Sequence, residues 1–311
     1  MCKIGIIGET LVEIMAVEPG DGFREPIAMV GPFPSGAPAI FIDQVARFGH
    51  PCGLVSCVGD DDFGRLNIDR LRADGVDVSA IRIHERAVTG SAFVRYRPDG
   101  SRDFVFNIRD SAAGQTTMTD EGRRMIAGCR HLHIMGSSLS APGMAEAVEE
   151  ALTIVKGRGG SVSFDPNLRK ELLSDPRLTE RLGRVLKATD VFLPSGDELF
   201  LLTKAKDELG AVHELLDGGV KVVVVKRGDQ GATWYDNQSA LTAPAFDVHQ
   251  VDPTGAGDCF GAVLVACWLQ GLDPAQALRI ANAAGAWAVT VQGPMEGAAF
   301  RADLEAWIAA R

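Results

Sequence analysis

The chain has 311 residues, 46% of them apolar, which is enough for a large hydrophobic core without metal ions or disulfide bonds. Its 31 Lys and Arg residues are outnumbered by 41 Asp and Glu residues, and the formal net charge is −10. A broad basic surface for nucleic acid is therefore not expected, and an anionic substrate has to be held by a few placed cations. The apolar runs are shorter than the roughly 18 residues of a membrane span, and residues 1–8 are typical of a first strand, not of a signal peptide. We expect a cytoplasmic protein that binds neither nucleic acid nor membrane.

Short apolar segments alternate with longer segments of helical periodicity along most of the chain. Strands are predicted at residues 3–7, 53–58, 131–135, 161–165, 191–193 and 220–226. Helices are predicted at residues 37–48 and 142–156. This alternation is typical of βαβ units, so we expect an α/β fold with a mostly parallel central sheet. The four consecutive valines at 222–225 predict a central strand that helices cover on both faces.

Two segments interrupt this alternation, at residues 13–30 and 91–108. In the second, strand-like runs at 91–97 and 102–107 flank a P-D-G-S turn, which indicates a β-hairpin. We expect these pieces to form a small sheet that lies as a lid over a site, although an extension of the main sheet would leave the same pattern. No repeat or linker marks a second domain, so a single domain over residues 1–311 is predicted.

The most informative segment is V-D-P-T-G-A-G-D at residues 251–258, which leads into an apolar helix. Its glycines allow a sharp turn that brings several backbone N–H groups to a helix start, and such a site binds anions, phosphate above all. Asp258 would lie in the first turn, where its carboxylate can take a proton from an attacking hydroxyl group. The alternative is that Asp258 only stabilises the helix dipole.

Several other catalytic motifs are absent from the sequence. It has no Walker A motif, no G-x-G-x-x-G after the first strand, no G-x-S-x-G and no H-E-x-x-H. P-loop enzymes, dinucleotide-binding enzymes, α/β-hydrolases and zinc hydrolases are therefore disfavoured. The six cysteines form no C-x-x-C pair and are expected to be reduced structural thiols.

The segment 251–258 resembles the carboxyl-terminal signature of the PfkB, or ribokinase-like, carbohydrate kinases. Further stretches follow in the family's order: S-G-A-P-A at 35–39, D-P-N-L-R at 165–169, P-S-G-D-E at 194–198 and K-R-G-D-Q-G at 226–231. The chain departs from the family pattern at Ser35 and Ile40 in the sugar-binding entry, and at Ser195, where the N-x-x-E motif has Asn. The resemblance spans almost the whole chain. It implies a three-layer α/β/α ribokinase-like fold with a β-sheet lid, and transfer of the γ-phosphoryl group of ATP to a primary hydroxyl of a sugar.

The resemblance also implies a role for individual residues. Asp258 would be the catalytic base, with an anion hole formed by the amides of Gly255, Ala256 and Gly257. The residues implied to bind ATP and Mg²⁺ are Ser195, Glu198, Lys226, Gly228, Gly231, Thr254, Gly257 and Asn282, with Glu198 reaching the metal through water. The residues implied to bind the sugar are Glu13, Gly36, Ala37, Arg109, Arg169 and Asp258. Backbone around Asp252 and Thr254 would hold a monovalent cation such as K⁺. Asn282, on an Ala-rich helix, would alternatively pack against the sheet.

Two arginines bear on the identity of the substrate. Arg109 lies in a stretch that resembles the Y-x-R-x-x-S-A of 2-keto-3-deoxygluconate kinases, with Asn107 in place of the aromatic residue. Together with Arg169 it suits an oxygen-rich ligand, so we expect a keto-sugar or keto-acid sugar. The alternative for Arg109 is a solvated lid residue. A ketohexose such as fructose or tagatose stays open, because those kinases share D-P-N-x-R.

The same residues bear on other possible functions and on the assembly state. A nucleoside kinase is a further alternative, against which the two arginines speak. A catalytically silent binding protein is disfavoured because Asp258 is retained. Apolar residues within Phe93–Tyr96 and Phe104–Phe106 predict a homodimer through the lid strands.

Overall fold

The computed structural model describes residues 3–167 and 176–311, so that Arg169 lies outside the described residues. The strands are β1 (Ile4–Ile7), β2 (Leu11–Ala16), β3 (Met29–Ser35), β4 (Cys52–Gly59), β5 (Ile81–His84), β6 (Gly90–Tyr96), β7 (Arg102–Asn107), β8 (His131–Met135), β9 (Ser161–Asp165), β10 (Val191–Phe192), β11 (Val222–Lys226), β12 (Ala232–Tyr235) and β13 (Ala240–Ala243). The helices are α1 (Ala37–Arg47), α2 (Asp62–Ala73), α3 (Asp120–Ala127), α4 (Pro142–Gly157), α5 (Pro176–Lys187), α6 (Glu208–Asp217), α7 (Ala256–Leu269), α8 (Pro274–Ala288) and α9 (Arg301–Ala309).

The large sheet has the strand order β13-β12-β11-β10-β9-β8-β1-β4-β5. Its strands from β11 to β5 are parallel, while β12 and β13 pair in antiparallel fashion at one edge. Each strand predicted for the parallel sheet is present, and β8 and β9 have the predicted bounds. The predicted α/β architecture is confirmed.

Helices pack on both faces of this sheet and form two cores. Val222 and Val224 of β11 belong to one core, with residues of α1, α7 and α8, whereas Val223 and Val225 belong to the other, with residues of α4 and α6. Successive side chains of a strand point to opposite faces, so a strand between two helical layers is apolar at every position. The four consecutive valines are therefore explained by helices that cover β11 on both faces, as predicted.

The small sheet is separate from the large one and has the order β3-β2-β6-β7. The β6–β7 hairpin pairs Tyr96 with Arg102 nearest the turn, and β2 joins β6 in parallel. An extension of the main sheet, the alternative left open above, is therefore wrong. β7 is an edge strand of this sheet and pairs with β6 on one side.

Two histidines of β8 form a buried polar chain with β9. The ring nitrogens of His131 lie 2.8 Å from the hydroxyl oxygens of Ser161 and Ser163, and Nδ1 of His133 lies 2.6 Å from that of Ser163. The His133 ring stacks on Phe41 of α1 at 3.7 Å. Burial lowers the pKa of His131 to about 3 and the pKa of His133 well below its ordinary value, so both imidazoles are neutral in the fold.

The cysteines agree with the sequence prediction. The five in the described ranges are free and buried, and Cys2 lies outside those ranges. Among the described helices, none has the length and apolarity needed to cross a bilayer.

Candidate active site

A cavity of about 270 Å³ opens where β9 and β11 end, beneath the small sheet. This is the carboxyl edge of the parallel strands, where open α/β sheets bind their ligands. The predicted site residues that line it are Glu13, Ala37, Ser195, Glu198, Lys226, Thr254, Gly255, Gly257 and Asp258. The lining residues that the sequence did not assign a role in the site are Arg102, Phe104, Phe106, Asp165, Asn167 and Pro253.

The start of α7 supplies backbone N–H groups to this cavity. Gly255 is the N-cap, with φ of 82°, and a Cβ there would lie 2.4 Å from the carbonyl oxygen of Pro294. Only glycine fits, and it offers no side chain to cap the helix, so the first-turn N–H groups remain available for an anion. Gly255 and Gly257 line the cavity, whereas Ala256 does not; its N–H lies 3.5 Å from the oxygen of Pro253.

Asp258 follows directly, half-buried in the wall of the cavity. Among the described residues, none donates a hydrogen bond to its carboxylate. Burial raises its pKa well above the ordinary value, and the charges of Asp165, Glu9 and Glu13 act in the same direction, against the opposing charge of Lys226. A carboxylate in this setting binds a proton more tightly than a solvated one does.

Lys226, the last residue of β11, contacts the carboxylate of Asp165 at the end of β9. Burial lowers the pKa of Lys226, but the charge and hydrogen bond of Asp165 outweigh it, and the net shift is upward. Its Nζ lies 3.9 Å from the point where a Cβ on Gly257 would stand. A buried cation thus lies beside the amides of the α7 start. The only signal for Asp165 in the sequence was its place at a strand end in the D-P-N motif.

The segment predicted to bind the sugar lies at the start of α1. Glu13 of β2 accepts a hydrogen bond from the hydroxyl of Ser35 at 2.7 Å, and Gly36 is the N-cap of α1. Ser35, Ala37 and Ile40 all line the cavity, while Gly36 does not. The departure at Ser35 therefore supplies a hydroxyl donor to the predicted sugar-binding glutamate.

Among the described residues, the arginine that lines the cavity is Arg102; Arg109 is exposed in the turn after β7 and does not line it. Arg102, Phe104 and Phe106 alternate along β7 and therefore share one face, which points into the cavity. The rings of Phe104 and Phe106 stack at 4.9 Å. Both phenylalanines thus face the site, whereas Val105, 46% exposed, lies on the outer face of the small sheet. The dimer predicted through the lid strands stays a prediction.

Ser195 and Glu198, both predicted to bind ATP and Mg²⁺, line the cavity and form hydrogen bonds with each other. Glu198 Oε2 accepts a hydrogen bond from the backbone N–H of Ser195 at 2.7 Å, and the Ser195 side chain accepts one in return, which makes a capping box. The Ser195 departure thus retains a helix-capping side chain. In the described chain, no group of three or more His, Cys, Asp or Glu residues forms a metal cage.

Three other predicted nucleotide residues lie away from the cavity lining. Gly228 begins the turn after β11, and Gly231 ends it with φ of 86°, where a Cβ would lie 2.1 Å from the carbonyl oxygen of Ala243. Asn282 of α8 donates hydrogen bonds to the carbonyl oxygens of Ala243 and Pro244, at 3.1 and 3.0 Å. Gly231 and Asn282 therefore meet at the end of β13. The Asn282 amide packs against the sheet, as its alternative interpretation predicted.

Asp252 lies fully inside the protein, before the α7 start. Its carboxylate accepts hydrogen bonds from the Tyr96 hydroxyl at 2.5 Å and from the backbone N–H groups of Thr254 and Gly293, both at 3.0 Å. Thr254 Oγ1 in turn accepts a hydrogen bond from Arg102 at 3.3 Å. The Asp252 side chain thus fixes the loop. A cation bound at this loop would be coordinated by its backbone oxygens.

Comparison with known proteins identifies the family. Residues 2–299 match the model of the pfkB family of carbohydrate kinases. A 2-dehydro-3-deoxygluconokinase of Thermoproteus tenax is 32% identical over 95% of this chain and 91% of its own, and Fructokinase-1 of Oryza sativa subsp. japonica is 34% identical over 92% and 91%. An E. coli structure, provisionally called ribokinase II and solved with ATP and Mg²⁺, is 48% identical with a TM-score of 0.96 over 100% of both chains. The chain therefore belongs to the pfkB family of carbohydrate kinases, phosphotransferases with a sugar as acceptor.

Proposed function

We propose that the enzyme transfers the γ-phosphoryl group of ATP to a primary hydroxyl of a keto-sugar or keto-acid sugar. The observation that carries this proposal is the pairing, in one cavity, of uncapped α7 amides with an Asp258 carboxylate that has no described hydrogen-bond donor. The amides suit a phosphoryl group, and the carboxylate suits a proton.

In this proposal, Asp258 accepts the proton of the attacking hydroxyl. The amides of Gly255 and Gly257 stabilise the charge on the transferring group, and Lys226 adds a positive charge beside them. When bound, ATP supplies the phosphoryl group and Mg²⁺ neutralises charge on the phosphates. Mg²⁺ keeps several waters and needs few protein ligands, and Glu198 at the cavity would be its water-mediated partner.

The sugar would lie between Glu13 and β7, with its reactive hydroxyl at Asp258. Ala37 and Gly36, both predicted to bind the sugar, would contact it at this end of the cavity. Arg102, and not Arg109, would supply the positive charge beside it. We also propose that backbone oxygens around Asp252 and Thr254 bind K⁺. The adenine of ATP would lie near Gly231 and Asn282. We infer a cytoplasmic enzyme, in one domain, whose small sheet closes over the sugar as a lid.

A neutral ketohexose is the second candidate substrate, and the charge of the cavity favours it. Among the described lining residues the acids are Glu13, Asp165, Glu198 and Asp258, and the bases are Arg102 and Lys226. Lys226 is already paired with Asp165, so Arg102 is the described cation that remains for a substrate carboxylate. Similarity to both a 2-dehydro-3-deoxygluconokinase and fructokinases is consistent with either substrate.

The decisive experiment is an ATP-consumption screen of the purified enzyme with 2-keto-3-deoxygluconate, fructose, tagatose, ribose and nucleosides. We expect the highest kcat/KM with the keto-acid sugar or with a ketohexose, and loss of that activity in Asp258→Asn. A higher kcat/KM for a nucleoside than for every sugar would contradict the proposal.

We also propose a homodimer through the outer face of the small sheet. Phe93 and Val105 are cross-strand partners on this face, and Val105 is exposed. Sedimentation at micromolar concentration should give a dimer for the wild-type chain and a monomer for Val105→Glu. A monomeric wild-type chain would contradict the assembly without touching the kinase activity.

A further inference from the structure

The turn end of the β6–β7 hairpin contacts the loop that precedes α7. Tyr96 is the last residue of β6, and its cross-strand partner Arg102 is the first of β7. The Tyr96 hydroxyl oxygen lies 2.5 Å from Oδ1 of Asp252 and 3.1 Å from Oγ1 of Thr254, to which Arg102 also donates at 3.3 Å. One cross-strand pair of the small sheet therefore binds two residues of the loop.

The buried Asp252 has donors from three separate parts of the chain. Thr254 donates from the loop itself, Gly293 from the segment between α8 and α9, and Tyr96 from the small sheet. A buried carboxylate is costly unless its oxygens are satisfied, so its position follows its donors. Displacement of the hairpin would therefore act on the peptide planes directly before Gly255.

The same hairpin also covers the other end of the cavity. Phe104 and Phe106 continue from Arg102 along one face of β7 and line the cavity beneath the small sheet. A strand that lines the proposed sugar end of the cavity at one point and contacts the loop before α7 at another joins the two ends of the site. Transfer between two substrates depends on their mutual placement to within about 1 Å.

We propose that Tyr96 is a positioning residue, which couples the placement of the small sheet over the sugar to the placement of the α7 amides through Asp252. The inference rests on the proposed function. Under it, the hydroxyl of Tyr96 contributes to the rate of phosphoryl transfer without touching either substrate. A purely structural role would instead appear as lower thermal stability with unchanged kinetics.

The sequence supplies a matched control, because its two tyrosines are Tyr96 and Tyr235. The Tyr235 hydroxyl contacts Glu208, and Tyr235 does not line the cavity. We expect Tyr96→Phe to lower kcat by roughly ten- to a hundredfold, the range for a lost hydrogen bond to a charged group. The KM values for ATP and sugar should change by less than about threefold, as for an interaction made in the transition state. Tyr235→Phe should leave kcat unchanged.

Fluorine NMR of the 3-fluorotyrosine-labelled protein tests the coupling without turnover. It should give two signals, which Tyr235→Phe assigns. The Tyr96 signal should shift on addition of a non-hydrolysable ATP analogue and again on addition of sugar, while the Tyr235 signal stays in place. A Tyr96→Phe variant with wild-type kcat, or a Tyr96 signal unmoved by ligands that calorimetry shows to bind, would overturn the inference. If the wild-type enzyme phosphorylates no sugar, the proposed function fails instead, and the response to the ATP analogue still decides the coupling.

Discussion

Two aspartates flank the start of α7, Asp252 in the loop before it and Asp258 in its first turn, and their carboxylates have opposite hydrogen-bonding surroundings. Asp252 is saturated by three donors, from Tyr96, Thr254 and Gly293. Asp258 receives no hydrogen bond from the described residues, and burial together with neighbouring acids raises its pKa. A carboxylate whose lone pairs are occupied holds a loop, whereas one whose lone pairs are open can take a proton. The chemical role follows from the donors around each group, which the residue type alone does not reveal.

The sharpest test of this contrast is Asp258→Asn. The amide keeps the size of the side chain but cannot accept the proton, so turnover should fall by roughly 10²- to 10⁴-fold. ATP affinity should stay close to that of the wild type, as measured by calorimetry. If turnover stays within a few-fold while ATP binds, the open carboxylate is structural and the contrast between the two aspartates collapses.

Asp258→Asn should not lower the free energy of unfolding, because the pKa of Asp258 is raised in the folded state. A carboxyl group with a higher pKa in the folded state than in the unfolded state favours folding when protonated, and this contribution is lost as pH rises through the folded pKa. At pH 8 Asp258→Asn should therefore melt at or above the wild-type temperature. The difference should shrink as pH falls toward the ordinary value of Asp.

Asp252→Ala should have the next largest effect, which is a decrease in the free energy of unfolding. The change removes the acceptor of three donors, two of which are backbone N–H groups in the interior. Leaving such donors unsatisfied costs about 1–3 kcal/mol of the free energy of unfolding. Urea denaturation of Asp252→Ala and Asp258→Asn side by side should show a loss in the first variant only. Equal stability of the two would mean that Asp252 does not hold the loop.

The smallest effects are expected from exposed arginines. Arg102→Gln should raise the KM of a keto-acid sugar by roughly two- to fivefold, the range for an exposed charge pair. Arg109→Gln is the matched control and should leave that KM unchanged, because Arg109 lies outside the cavity. A larger effect at position 109 than at 102 would show that the small sheet closes in a different register when sugar binds.

Most of the parallel sheet was predictable from local patterns, because β1, β4, β8, β9, β10 and β11 are short buried runs between longer helical segments. β5, with the sequence I-R-I-H, gave no such signal. The start of α7 without a capping side chain was predictable, because glycine precedes the apolar helix and offers no side chain to its first N–H groups. Side-chain pairs distant in sequence were not predictable. The contact of Asp165 with Lys226 depends on two strands ending at one edge, and nothing local to either residue indicates the other. The choice between Arg102 and Arg109 depends on where β7 ends and which of its faces points inward, which the sequence leaves open by a few residues.

The buried chain of His131, Ser163 and His133 has a consequence for the protein in acid. Once unfolded, both imidazoles regain their ordinary pKa near 6.5, whereas His131 in the fold binds a proton only near pH 3. The contribution of these histidines to stability is fully present above pH 6.5 and is lost as pH falls through this interval, because the unfolded chain binds protons that the folded chain does not. For His131 the interval amounts to on the order of 5 kcal/mol, comparable to the net stability of many domains. The enzyme therefore takes up protons as it unfolds in acid, and two histidines that do not line the cavity narrow the pH range of its storage and assay from the acid side.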